Sequence, residues 1–256
     1  MNACIDTRFA HPWDVDTQTA EEIQRSLSSH VVLSPLSTRG AGAPRHAAGI
    51  DVAYTVDGER AWAAAVVMDR AFRVLERAVV EGQPDRPYAP GLLAFREGRL
   101  SLEALCRLKV RPDLIFADGH GTVHERGLGL ASHIGLLLGV PTIGVPKTPF
   151  HAIDHAPAPS RGSYYVLTKE WGAEGAALRL RTGVKPVYVS PGYLVDLESA
   201  IALCLAWSTG HHKVPEPLQA AHTLSASSRS AATGRIAGLS RTIPGVSVRF
   251  GRAEER

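Results

Sequence analysis

The sequence predicts an α/β protein on a mixed sheet, an antiparallel three-strand meander followed by a parallel βαβ unit, flanked by helices. Three observations point there. Three strand-like apolar runs joined by short turns fill residues 48–80. A short apolar strand, an apolar helix and a second buried strand then fill 113–145. At 256 residues, 45% hydrophobic and 21% charged, the chain can bury a large core without disulfides or structural metal.

Taken in order, residues 17–30 read as a helix, with Thr19 as N-cap before Ala20, Glu21 and Glu22. A Gly/Pro-rich loop, STRGAGAPRH, leads into strands at 48–54, 61–69 and 72–80. Asp57-Gly58 marks the first turn, in a loop that can exceed two residues, and Met68-Asp69-Arg70 marks the second. After an irregular loop at 84–90, residues 92–108 have helical spacing, with Gly98 as a break and Pro112 as the stop. A strand at 113–117, a helix at 128–138 and a strand at 141–145 imply a parallel crossover. The stretch HAIDHAPAPSRGS is a loop, followed by strands at 164–168, 177–181 and 186–189 and a turn at Ser190-Pro191-Gly192. Residues 196–207 form an amphipathic helix with Leu197, Ile201, Cys204 and Leu205 on one face. The expected organisation is one domain over 1–225 and a flexible Ser/Ala/Gly-rich tail over 226–256. A meander followed by βαβ is the order of a ribonuclease-H-like sheet.

The three cysteines, Cys4, Cys106 and Cys204, are far apart and form no C-x-x-C pair. That predicts a reducing compartment and no disulfide framework. Asp6 and His11 stand where a signal peptide needs an apolar stretch, and no apolar run approaches the roughly 18 residues of a membrane span. A soluble cytoplasmic protein is expected, with no membrane and no protein partner. A net charge of +3 permits nucleic-acid binding without demonstrating it.

Asp51 lies inside an apolar strand, GIDVAY, where a lone carboxylate is costly to desolvate unless something neutralises it. Asp118 ends the strand LIFA, at the end of a parallel strand where ligands bind. If the first and fourth strands are neighbours, the two carboxylates converge. Converging carboxylates are the hard oxygen donors that Mg²⁺ takes, with positions left for water and phosphate. Such a site can activate a water and stabilise a leaving oxygen. The alternative is that Asp51 faces solvent on an edge strand and Asp118 only begins an Asp-Gly turn. Glu97, in FREG, reads on its own as an ordinary exposed helix residue. Gly119 and Gly121, around His120, would let a ligand approach the backbone closely. His120, His124 and His133 offer a zinc alternative, but His124 falls in a loop and His133 in an apolar helix. There is no G-x-x-x-x-G-K-[ST] phosphate loop, no Rossmann glycine fingerprint and no G-x-S-x-G elbow.

The stretches AGIDVAY, AAAVVMD, RPYAPGLLAFRE, PDLIFADGHGTVHERGLGLASHIGLLLGVPTIGVPK, KPVYVSPG, DLESAIALCLA and VPEPLQAAH run in this order from about residue 20 to 225. Together they resemble the endonuclease V family. The resemblance implies a ribonuclease-H-like fold and a Mg²⁺ site in which Mn²⁺ can substitute. It places metal-binding carboxylates at Asp51, Glu97 and Asp118, and further catalytic residues at Lys147, toward phosphate or the attacking water, and at His222. It also implies a nucleic-acid wedge at Pro87, Tyr88 and Pro90, stiffened because φ is fixed at each proline, and a pocket for a flipped base at Gly91, Leu93, Gly119 and Gly121. The implied reaction is hydrolysis of the second phosphodiester 3′ to inosine or deoxyinosine in DNA, or in RNA. The alternatives are a non-catalytic binder of deaminated or branched nucleic acid, which would not need three carboxylates, and another ribonuclease-H-like nuclease such as a junction resolvase, which would not need a wedge. Two positions depart from the family pattern: Ala89 where the wedge usually has Ile, and Tyr193 where many members have His.

Overall fold

The computed structural model describes residues 4–149, 156–168, 172 and 174–236. Helix α1 (Thr17–Ser28) begins at Asp16, whose carboxylate accepts the Thr19 amide at 2.8 Å. Asp16 rather than Thr19 is therefore the N-cap, because the amide of Thr19 is one of the orphan donors a cap must satisfy. Strands β1 (His46–Tyr54), β2 (Ala61–Asp69) and β3 (Val74–Gly82) form the expected antiparallel meander. The first loop runs from Thr55 to Arg60, closed by Thr55 N–H to the Arg60 carbonyl. In the second turn the Asp69 carboxylate accepts the amides of Ala71 and Arg73, and Phe72 takes a φ of 58°. That turn is why β3 starts at Val74 and not at Phe72.

Helix α2 (Leu93–Cys106) continues through Gly98 instead of breaking there. A Cβ on Gly98 would lie 2.6 Å from the Trp13 ring, so this glycine makes room for the N-terminal segment. Strand β4 (Leu114–Ala117), helix α3 (Leu130–Leu138) and strand β5 (Thr142–Gly144) form the crossover, with β4 parallel to both β1 and β5. Strands β6 (Tyr164–Thr168), β7 (Glu174–Leu178) and β8 (Val187–Tyr193) complete an eight-stranded sheet in the order β3-β2-β1-β4-β5-β8-β7-β6.

Two strands differ from expectation. Strand β7 lies earlier than 177–181: past Leu178 the Arg179 backbone bonds Ser163 and Gly162 ahead of β6, and its guanidinium donates to the carbonyls of Pro157, Ala158 and Val184. Strand β8 runs straight through Ser190-Pro191-Gly192, expected as a turn. The register against β5 shifts there, Thr142 facing Tyr193 and Ile143 facing Pro191, and an irregularity of this kind is where a sheet tolerates proline. Part of the loop expected at 151–163 lies outside the described residues.

Helices α4 (Leu197–Ala206) and α5 (Glu216–Ile236) follow. Helix α5 crosses the domain boundary expected at 225: Ser225 and Ser228 are buried, and Arg229 donates to the Tyr54 carbonyl at 3.4 Å. Residues 237–256 of the expected tail lie outside the described residues. Cys4 and Cys106 form a disulfide with Cα atoms 5.8 Å apart, a pairing their 102-residue separation had argued against. The fold brings the N-terminal segment onto the end of α2, and sequence distance says nothing of that.

The period of two in a strand divides the core. Ala47, Leu114 and Phe116 pack on one face with α4 and α5, while Ala48, Ile50, Ile115 and Ala117 pack on the other with α2 and α3. Among the described residues no helix is long and apolar enough to cross a membrane.

Candidate active site

Asp51 continues the parity of Ala47 and Gly49, and Asp118 that of Leu114 and Phe116, so both carboxylates emerge on the α5 face. The parallel register pairs Gly49 with Phe116 and Ile50 with Ala117, and the Asp118 amide donates to the Ile50 carbonyl at 3.4 Å. The two aspartates are thus neighbours by register. Strand β1 lies between β2 and β4, not at an edge, and Asp51 is only 7% exposed. A solvent-facing Asp51 is excluded.

Helix α5 reaches the site because β1 has no side chain at Gly49, where a Cβ would lie 2.1 Å from the Pro217 carbonyl oxygen. From that contact His222 and Ser225, three residues apart on one helical face, come over Asp51. The Ser225 hydroxyl donates to Asp51 Oδ2 at 2.5 Å, and His222 Nδ1 lies 3.4 Å from the same oxygen. On the other side Lys147, just after β5, pairs with Asp118 Oδ2 at 2.6 Å. Glu97 comes from α2, on the opposite face of the sheet, and its Oε1 accepts the Tyr54 hydroxyl at 2.9 Å. Tyr54 in turn lies under the Arg96 guanidinium, 4.3 Å from the ring centre.

These groups feel one another. Burial pushes the Glu97 carboxyl up to about 8, the charges of Asp51 and Asp118 add to this, and the Tyr54 hydrogen bond opposes it. Burial also raises the Asp118 carboxyl above its ordinary range, with Lys147 opposing and Asp51 reinforcing. The Tyr54 hydroxyl is raised by burial and by Glu97. Two buried carboxyl groups raised above their ordinary range, with the charge of Asp51 adding to each, leave the site short of positive charge. Their oxygen chemistry suits a hard divalent cation, although among the described residues no three His, Cys, Asp or Glu side chains form a ready-made ligand cage.

Beside Asp118 and Lys147 opens a cavity of about 380 Å³, lined also by Gln24, Tyr88, Pro90, Gly91, Leu93, Gly119, His124 and Leu130. Gly91, Leu93 and Gly119 share its wall. Gly121 is not on the wall: a Cβ there would lie 2.0 Å from the Pro191 carbonyl oxygen, so it packs on β8. Ser190 Oγ accepts the amides of Gly121 and Val123, and the Pro191 carbonyl accepts that of Thr122, so the SPG segment holds this loop in place. In the segment Pro87–Pro90, Tyr88 is 68% exposed, while Ala89 turns inward against Ala20, Leu92 and Phe95. Tyr193 packs its Cβ toward Gly135 of α3.

The zinc alternative fails on geometry. The Arg126 amide donates to His124 Nδ1, so His124 Nε2 carries the proton and donates to the Gly91 carbonyl at 2.8 Å. Burial pushes this imidazole down to about 4, which keeps it neutral. His133 is fully buried, its Nε2 2.6 Å from that of His11. The sequence reading missed Tyr54, Ser225, Gln24 and His11. The Tyr54-x₄₂-Glu97 separation carries no local signal, Gln24 inside an amphipathic helix pattern reads as surface, and Ser225 stands where no helix was expected.

The sheet order, with neighbouring aspartates at β1 and β4 and a lysine against one of them, defines a nuclease scaffold of the ribonuclease-H-like class. The family model for endonuclease V matches residues 25–223. The chain is 39% identical over 227 residues to endonuclease V of Roseiflexus sp. (strain RS-1), covering 88% of this chain and 99% of that one. The crystal structure of endonuclease V from Bacillus subtilis superposes with a TM-score of 0.80 at 30% identity, covering 88% of this chain and 97% of that one. That from Streptomyces avermitilis gives 0.78 at 41% identity, covering 86% and 96%. A variant of Ciona intestinalis endonuclease V, solved in complex with a 23mer DNA containing an inosine followed by a ribo-adenosine, shares the fold with a TM-score of 0.73 at 24% identity, covering 85% and 99%. The chain belongs to the endonuclease V family.

Proposed function

We propose that this protein is a metal-dependent endonuclease that hydrolyses the second phosphodiester 3′ to inosine or deoxyinosine, leaving a 3′-hydroxyl and a 5′-phosphate. The observation that carries the reading is the continuity of the cavity with the carboxylates: Asp118 and Lys147 line the same space as Gly91, Leu93 and Gly119. A base held by glycine backbone would leave its 3′ strand beside the charged groups. The inosine-containing DNA held by the Ciona protein of the same fold agrees with this.

Asp51, Glu97 and Asp118 would hold Mg²⁺, with Mn²⁺ substituting. When bound, the cation would supply Lewis acidity toward the phosphate and a lowered pKa for water. Lys147 neutralises charge at the phosphate, a role that the bond of its ammonium to Asp118 supports. His222, held at Asp51, faces the water or leaving side. Tyr88, exposed beyond Pro87, enters the stack where the base leaves it.

The test is a nicking assay on matched DNA and RNA oligonucleotides with and without one inosine, in Mg²⁺, Mn²⁺ and EDTA. Cutting restricted to inosine substrates, lost in EDTA and restored by metal, is the expected result. Binding without cutting in metal, or cutting without inosine preference, overturns it.

A further inference from the structure

The Gly91 carbonyl, at the foot of the exposed Pro87–Pro90 segment, receives three donors: Gln24 Nε2 at 3.1 Å, His124 Nε2 at 2.8 Å and Arg126 Nη2 at 3.0 Å. A carbonyl oxygen has two lone pairs, so this one is saturated. Gly91 itself has a φ of 73°, a conformation that other residues rarely adopt, and a Cβ there would lie 2.4 Å from Arg126 Nη2 and Glu125 Oε1. The backbone at this point can neither rotate nor carry a side chain without breaking the cluster.

Gln24 organises that cluster. It lies on the buried stripe of α1 with Ala20 and is 0% exposed. Its second amide hydrogen goes to the Leu128 carbonyl at 3.1 Å, and its Oε1 accepts Arg126 Nε at 2.7 Å. Both amide hydrogens are used, one on each of two loops: Gly91 from the Pro-rich segment and Leu128 ahead of α3. Arg126, oriented by Gln24, places its other nitrogens on Gly91 and on Glu125 at 2.6 Å. A buried glutamine with this many partners costs desolvation and ordering that an apolar side chain on the same buried stripe would avoid.

We infer that Gln24 is a positioning residue that sets the Gly91 carbonyl, and through it the wall of the base cavity and the angle at which Tyr88 projects. The inference rests on the base-pocket reading above. Gln24 touches neither the carboxylates nor the scissile phosphate, so its effect falls on selectivity and not on the chemical step.

The experiment compares Gln24→Met, which keeps the volume and removes the donors, with Arg126→Met, which leaves Gln24 in place and removes one donor and its partner. Two readouts are taken. Amide hydrogen exchange of the free protein should rise about tenfold or more in the peptide spanning 86–95, with β1 unchanged. Affinity for an inosine-containing duplex should fall about tenfold, with a smaller fall for the matched inosine-free duplex. Unchanged exchange at 86–95, equal losses on both duplexes, or losses that follow thermal unfolding in both variants overturn the inference. A wild-type protein without inosine preference overturns the functional reading instead, and hydrogen exchange still decides whether Gln24 sets the segment.

Discussion

Ser225 donates its hydroxyl to Asp51 Oδ2 at 2.5 Å, joining α5 to β1 across 174 residues of chain. Both groups are buried, so the bond is shielded from water and holds the carboxylate in place. A hydrogen bond of this kind contributes about 0.5–1.5 kcal/mol. Ser225→Ala is expected to slow single-turnover cutting by about tenfold with little change in substrate affinity, and Ser225→Thr to recover most of it. An alanine variant cutting at the wild-type rate would show the bond to be incidental to catalysis.

Asp118 carries a different balance, since Lys147 already neutralises it in the free protein. Asp118→Asn keeps the shape and removes the charge. Cutting should be lost and the fold kept. Affinity for inosine-containing DNA should hold or rise, because one anion beside the phosphate is gone. Measured together, nicking, binding and melting separate a catalytic carboxylate from a turn residue, which would still cut.

Glu97 makes stability depend on pH. Burial holds its carboxyl protonated up to about 8 from an ordinary value of 4.5, so between these pH values the folded state keeps a proton that the unfolded chain releases. Stability without divalent cation is therefore full below about pH 4.5 and declines as pH rises toward about 8, by up to about 1.4 kcal/mol per pH unit from this group. Glu97→Gln should flatten that decline, and Mg²⁺ should reduce it in the wild type. Melting curves from pH 5 to 8 in EDTA check this, and equal slopes in wild type and variant would rule it out.

The residues legible in the sequence were those with a local signature. Asp51 stood out because a carboxylate inside an apolar strand needs a partner, and Asp118 because it ends a buried strand. The meander and crossover were legible because apolar runs and Asp-Gly turns are short-range signals. Glu97 was different. Its own surroundings, FREG, look like a solvated helix face, and only the family resemblance raised it; its burial follows from α2 closing over the sheet. Gly98 was misread because helix propensity sees a missing side chain, whereas the fold sees space for Trp13. Ser225 and Gln24 were invisible because their partners, Asp51 and Gly91, are brought to them only by helix packing.

Tyr88 tests the wedge. It is 68% exposed between Pro87 and Ala89, so its ring is not packed into its own loop. Extruding a base from a duplex costs a few kcal/mol, and a stacked aromatic returns about 1–3 kcal/mol per base. Tyr88→Ala should weaken binding to an inosine duplex by about tenfold or more, and Tyr88→Phe should be nearly neutral, because the ring fills the gap and the hydroxyl does not. On single-stranded inosine substrate the alanine variant should lose less, since less stacking has to be broken. Melting temperature should hardly move, because an exposed ring contributes little burial to lose. Affinities for duplex and single strand, measured beside thermal melting, decide the matter. Equal losses on the two substrates would assign Tyr88 to general strand binding, and an unchanged duplex affinity would remove it from recognition altogether.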